Sequence, residues 1–326
     1  MTINLNLNEM YKAPPDNVTN PVKNCINEIH RYTPQKEVDT LMNELALYNN
    51  VSQDSIFLSS GSDLLIKEFI FLFSNNRQII IAEPTFIIIN NSAQKADASL
   101  IKIRIQEPDF KLSLEPLLNE LDKPSLLVFD NPNNPTGNLI LNRNDIERIL
   151  NHDNAILLID EAYFEFSRVS FIDLIEKYQN LAIVRTLSKS FGLAGSGVGY
   201  LIAGDLIRRK FQGLEIMLPY PSVIAGMNAL RNSNYMIEYV KEIENEKKRI
   251  TNKLLKLGMT VFPSYANFLL LKTEIQNLSH TLAKLGILVH DVSFQLGSEF
   301  IRVTIGSKNE NDYFLKALEK INSKTN

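Results

Sequence analysis

The 326-residue chain has a single cysteine, Cys25, so no internal disulfide can form and a reducing compartment is expected. Histidine is scarce too, with four in all. His30, His152 and His280 show no metal-ligand spacing with one another or with Cys25, and no metal site is expected. Neither sign of charge is in large excess. The formal net charge is −3, and no basic stripe marks a nucleic-acid surface. The mixed-sign run "EIENEKKRI" at 242–250 reads as a solvated helix face. No apolar run is long enough to span a membrane, because Lys67 and Glu68 interrupt "LLIKEFIFLF". The opening "MTINLNLNEM" lacks the charged and apolar regions of a signal peptide. These absences lead to the expectation of a soluble, cytoplasmic protein that binds neither nucleic acid nor membrane.

What is present is a set of short apolar runs: "IFL" (56–58), "QIIIA" (78–82), "LIKIRI" (100–105), "SLLVFD" (125–130), "AILLID" (155–160), "LAIVRT" (181–186) and "VGYLIA" (198–203). Most are apolar on both faces, as strands buried between helical layers are. Helical patterns lie between several of them. "EVDTLMNELALY" puts Val38, Leu41, Met42 and Leu45 on one face, and "RNDIERIL" does the same with Ile146, Ile149 and Leu150. The alternation predicts an α/β domain with a mainly parallel seven-stranded sheet over 35–230.

Beyond it, a helix from about Tyr235 to Leu257 is expected to stop at Gly258. Strands "ANFLLLK", "GILVH" and "FIRVTI" and a last helix carrying Phe314, Ala317, Leu318 and Ile321 follow. These residues, 231–326, together with an N-terminal arm, 1–34, predict a smaller α+β domain. The arm is rich in Asn and Pro and is expected to be extended.

In a parallel α/β sheet, ligands gather outside the carboxyl ends of the strands. Four polar clusters fall there: "SSGSD" (59–63), "DNPNNPTG" (130–137), "DEAY" (160–163) and "TLSKS" (186–190). The first opens a helix whose backbone N–H groups can hold a phosphate. Any one cluster alone reads as a turn or a cap. Together they bring a lysine, a carboxylate, an amide, a tyrosine and a phosphate cradle to one sheet edge. Pyridoxal phosphate chemistry needs that combination: a lysine for the aldehyde, an aspartate for the pyridine nitrogen, donors for the phenolic oxygen and a phosphate site.

On "NPNNPTG", "DEAYFEF" and "RTLSKSFGLAG" the chain resembles the fold-type I pyridoxal-phosphate-dependent aminotransferases, and most closely the histidinol-phosphate aminotransferase branch. The resemblance runs from "LNLNE" (5–9) to "RVTIG" (302–306). It implies that Lys189 is the Schiff-base lysine, that Asp160 pairs with the pyridine nitrogen, and that Asn134 and Tyr163 hold the phenolic oxygen. It implies that Phe86 stacks on the ring, where the family usually has tyrosine. It also implies that Ser62 and Asp63 give N–H groups, and Thr186 and Ser188 hydroxyls, to the phosphate. Tyr32, in "HRYTP", would reach the neighbouring subunit's phosphate, which implies a homodimer, and Arg302 would grip the substrate carboxylate or its equivalent. The implied reaction moves an amino group from histidinol phosphate or an aromatic donor to a keto acid by a ping-pong mechanism.

Three departures from the family pattern stand out. The run "RTLSKSFGLAGSGVGY" (185–200) has four of the chain's 13 glycines. Gly192 and Gly195 are expected to let the backbone turn beside the cofactor. Gly197 instead occupies the place of an arginine, in the family's "AGLR-GY", that binds the cofactor phosphate. Arg185 or a small-domain arginine is a candidate substitute. Second, "LVHD" puts His290 where the branch has an arginine for the substrate phosphate. It either meets the substrate or merely ends a strand. Third, "NEMYKAPP" lacks the usual "NENP".

Two alternatives remain at this level. One is a pyridoxal phosphate lyase of the threonine-phosphate decarboxylase type, and the other is a non-catalytic member of the fold. The spacing G-x-G-x-G at 195–199 precedes a strand, which is the wrong context for a dinucleotide fingerprint.

Overall fold

The computed structural model describes residues 2–213 and 217–325; Met1 and Asn326, at the ends of the expected small domain, lie outside the described residues. Each of the seven runs forms a strand of one sheet. Its order is Ile56–Ser60, Val198–Ala203, Leu181–Thr186, Ala155–Asp160, Ser125–Asp130, Gln78–Glu83 and Leu100–Arg104. Only Val198–Ala203 runs against the others. Period-two alternation sends side chains to two buried layers. Ile80, Leu127, Phe129, Leu157 and Ile159 pack on one side. Ile79, Ile81, Leu126, Val128, Ile156 and Leu158 pack on the other, against Leu65, Ile66 and Phe69 of the helix Ser62–Phe73. A fully buried side chain of this size contributes about 1.5–3 kcal/mol, so this two-faced burial fixes the strand ends firmly.

The helices start and stop for local reasons. Asn142 accepts the Asp145 N–H while Asp145 accepts the Asn142 N–H, a capping box that opens Arg143–Leu150. The long helix Asn234–Lys256 ends just before Gly258, at φ +78°. Beyond it lies a second sheet, ordered Ile3–Leu5, Ile287–Asp291, Phe300–Thr304, Phe268–Lys272 and Thr260–Val261.

The N-terminal arm departs from expectation. It is extended only as far as Pro15, and Asp16–Cys25 is an α-helix despite Pro21 within it. Val18 and Cys25 are buried on its inner face, and the helix packs against Tyr220–Arg231. Tertiary burial overrides the turn-like local composition. The arm's first residues add a parallel strand to the small sheet, with Ile3 opposite Ile287.

Candidate active site

The carboxyl ends of the parallel strands converge on a cavity of about 510 Å³. Lys189, Asp160, Tyr163, Asn134, Phe86, Ser62, Asp63, Thr186, Ser188, His290 and Arg302 all line it. Tyr32 does not. It stands 82% exposed on the surface.

The phosphate cradle is built by close backbone approach. Ser60 ends its strand, and Gly61, at φ +90°, turns the chain into the helix Ser62–Phe73. Its N-terminal N–H groups and partial positive charge face the cavity. Gly199 of the neighbouring strand lies against this turn; a β-carbon there would stand 2.3 Å from Gly61 C and Ser62 N. The Thr186 and Ser188 hydroxyls, 2.8 Å apart, line the same end.

Gly192 turns the chain at φ +66°, where a β-carbon would meet Met10 Sδ at 2.7 Å, though it does not itself line the cavity. Gly195 lies in the tight turn Ala194–Ser196, but its φ is not positive and the space beside it is open, so the turn there does not require glycine. Gly197 has φ +59°, and a β-carbon there would make only ordinary contacts, the nearest at 3.8 Å. Arg185 is no substitute for the missing guanidinium. It is buried on the other side of the strand, where it ion-pairs with Glu161 at 2.7 Å and donates to Asn49 Oδ1 at 2.7 Å. The alternation of side chains along Leu181–Thr186 sends Arg185 away from the face that Thr186 shares with the cavity.

At the cavity floor, Asp160 and Asp130 end adjacent parallel strands in register. Burial first, and then the Asp130 charge, hold the Asp160 carboxyl well above its ordinary range. Lys189 Nζ donates to the Leu7 carbonyl at 3.1 Å. Desolvation, followed by the positive charge of Arg302, pushes this amine below the usual lysine value. Tyr163 is buried, which raises its phenol to about 12, and its hydroxyl accepts Asn8 Nδ2 at 2.9 Å. Arg302 reaches in from the small sheet, donating from Nη1 to Asn134 Oδ1 at 2.6 Å and from Nη2 to the Asn6 carbonyl. Its Nε is buried and meets no acceptor among the described residues. His290 lies opposite Arg302 in the antiparallel register. Burial and that neighbouring charge lower the imidazole to about 4.

Three contributors were not singled out from sequence. Asp130 lay inside a quoted motif, level with Asp160 at the end of an equal-length strand, so a register argument could have found it. Asn8 braces Tyr163 and also bonds Thr304, its backbone N–H donating to Oγ1 at 3.0 Å. Gln295 donates to the Thr85 carbonyl at 2.8 Å, tying the small sheet's side to the cavity rim. Nothing local marks the last two.

The residues fit pyridoxal phosphate on this structure's own terms. A depressed lysine amine, a buried carboxylate, a helix N-terminus with hydroxyls and an arginine with an unsatisfied buried donor face one cavity. This fold and site define a pyridoxal-phosphate-dependent enzyme of the aminotransferase kind. The sequence profile of the aminotransferase class I and II family matches residues 1–318, and the chain belongs to that family.

It is 33% identical over 326 residues to the histidinol-phosphate aminotransferase of Sulfurisphaera tokodaii, covering 98% of this chain and 90% of that one. The Methanocaldococcus jannaschii histidinol-phosphate aminotransferase is 35% identical over 334 residues, with 98% and 89% covered. The crystal structure of the Clostridium acetobutylicum histidinol-phosphate aminotransferase superposes with a TM-score of 0.89 at 25% identity, covering 99% of each chain. Among the described residues, no helix is long and apolar enough to cross a membrane.

Proposed function

We propose that this aminotransferase takes its amino group from histidinol phosphate, or from a related donor that can be aromatic, and passes it to a keto acid in a ping-pong sequence. The observation that carries this reading is the meeting of Lys189, Asp160 and Arg302 in one cavity, in a chain whose curated relatives bear that name. We further propose a large cofactor-binding domain at 35–230, with 1–34 and 231–326 forming the smaller one. In this reading Tyr32 of each protomer completes the site of the other in a homodimer; its exposure leaves it free for that contact.

Bound pyridoxal phosphate supplies the electron sink for charge developing on the substrate carbon. The protein does the rest. Ser62, Asp63, Thr186 and Ser188 hold the phosphate by N–H and hydroxyl donors. Phe86 would pack on the ring face. Asp160 would meet the ring nitrogen as an anion, and Asn134 and Tyr163 would donate to the phenolic oxygen. Lys189 is the residue that would hold the cofactor's aldehyde, and once free its Nζ would take a proton and return it. Its depressed basicity suits both halves of that exchange. Arg302 orients the acidic group of donor or acceptor, with its free Nε adding to the grip.

The test is a titration with pyridoxal phosphate, followed by absorbance and compared with Lys189→Ala. A near-visible band that requires Lys189, and that histidinol phosphate bleaches and a keto acid restores, is expected. Carbon dioxide release without keto-acid dependence would replace this reading with decarboxylation.

A further inference from the structure

Two carboxylates, not one, stand at the cavity floor. Asp130 and Asp160 share a register position on neighbouring parallel strands, so their side chains leave the same face of the sheet side by side. Both line the cavity. Their surroundings differ. Asp130 accepts four hydrogen bonds: from Thr85 Oγ1 at 2.6 Å, the Asn134 N–H at 2.6 Å, Asn133 Nδ2 at 2.9 Å and the Phe86 N–H at 3.2 Å. Asp160 accepts one among the described residues, from the Ala162 N–H at 3.0 Å. Donors stabilise a carboxylate as the anion, and the charge of one buried carboxylate opposes the ionisation of its neighbour.

We propose that Asp130 is a positioning residue of this site: its carboxylate clamps the Phe86 and Asn134 backbones beside Asp160, and the pair shares one proton, carried by Asp160, while the cofactor is absent. This rests on the proposed cofactor roles of Asp160, Phe86 and Asn134. Phe86 and Asn134 sit on separate loops, and Asp130 Oδ2 is the single atom to which both backbones bond. Any shift of Asp130 therefore moves the ring-facing side chain and the amide together. Burial raises Asp130 to about 6, with its donors opposing a further rise, whereas Asp160, with fewer donors, rises well beyond the ordinary carboxylate range.

Other groups face the pair from each neighbouring element. Asp63, at the head of its helix, adds to the rise of Asp160, and Lys189 opposes it. Tyr163 feels both carboxylates and remains a neutral phenol. Arg302 acts on Tyr163 and Lys189 from the small sheet. The helix Ile87–Lys95 carries no charge before Lys95. Asp160 is thus poised to ionise when positive charge is set against it.

The experiment is a carbon-13 NMR titration of the aspartate carboxyls in the full chain freed of cofactor, with Asp160 assigned through Asp160→Asn. The expected result is a higher midpoint for Asp160 than for Asp130, with each carbon also responding at the other's midpoint, as a shared proton requires. In Asp130→Asn the Asp160 midpoint should fall by about one pH unit or more. Independent one-step curves in the unmodified chain overturn the proposal, and that measurement stands even where Asp130→Asn does not fold. An unmoved Asp160 midpoint in a folded Asp130→Asn overturns it as well. Failure of the cofactor reading has a different signature: no Lys189-dependent absorbance with pyridoxal phosphate, whatever the titrations give.

Discussion

Arg302 Nη1 donates to Asn134 Oδ1 at 2.6 Å, so a strand of the small sheet and a loop of the large one meet on a single hydrogen bond inside the cavity. The bond fixes the guanidinium plane and orients the Asn134 amide at once. Arg302→Lys keeps the charge but loses the fork. One charge-assisted bond is worth about 1.5–3 kcal/mol, so KM for the keto acid should rise about 10- to 100-fold. The Lys189-dependent absorbance should persist, since the lysine reaches the cofactor independently. An unchanged KM for every acid tried would remove Arg302 from the substrate site.

Gly199→Ala should damage the phosphate cradle. The added carbon would meet Gly61 and Ser62 backbone at 2.3 Å, where no side chain can yield. Overpacking of this kind costs roughly 1–3 kcal/mol, so the thermal midpoint should drop and pyridoxal phosphate should bind more weakly. Gly195→Ala, with open space beside it, is the matched control and should change neither measurement.

Gly197→Arg should have opposite effects on stability and on affinity. The left-handed backbone at φ +59° disfavours any β-carbon, and the penalty is about 1–2 kcal/mol of fold stability. A guanidinium at the phosphate end, where the cavity has hydroxyls and N–H groups, adds a charged partner. Cofactor affinity should improve about 10- to 100-fold. Equilibrium dialysis against pyridoxal phosphate, paired with a denaturation curve, reads both signs. Weaker binding would mean that Gly197 does not face the phosphate.

His290 should contribute no charge in the physiological range. Its imidazole sits at about 4, lowered by burial and by Arg302. A lowered histidine gains its proton only as pH falls toward that value, so any help it gives to a phosphorylated donor should appear below about pH 5 and be absent at pH 7. His290→Arg should lower KM for histidinol phosphate at pH 7 by about 10-fold, the effect of one added charged hydrogen bond. A KM–pH break near 6.5 that is present in the unmodified enzyme and absent from His290→Gln would contradict the burial argument.

Much of this architecture could be read directly from local pattern. The seven apolar runs became seven strands because residues apolar on both faces have no stable place except between two layers. The polar clusters following them had to emerge at one sheet edge, which is why "SSGSD", "DEAY" and "TLSKS" face a common cavity. The long helix and its stop at Gly258 were likewise written in periodicity and in one residue's tolerance of positive φ.

What local pattern could not decide was contact between segments remote in sequence. The helix Asp16–Cys25 exists because burial against Tyr220–Arg231 outweighs an Asn- and Pro-rich composition. Asn8 reaches Tyr163 across 155 positions of chain, and nothing near either residue announces it. The role of each glycine in 192–199 depended on the atoms opposite: Met10 beside Gly192, backbone against Gly199, open space at Gly195. Arg185 was visible as a cation but not as one whose side chain leaves the wrong face of its strand and is spent on Glu161. Sequence by itself determined which elements form and which residue types stand at their ends, since those follow from short-range periodicity. The tertiary structure alone decided which of those ends touch, because packing, register and the direction of each side chain are set by neighbours far along the chain.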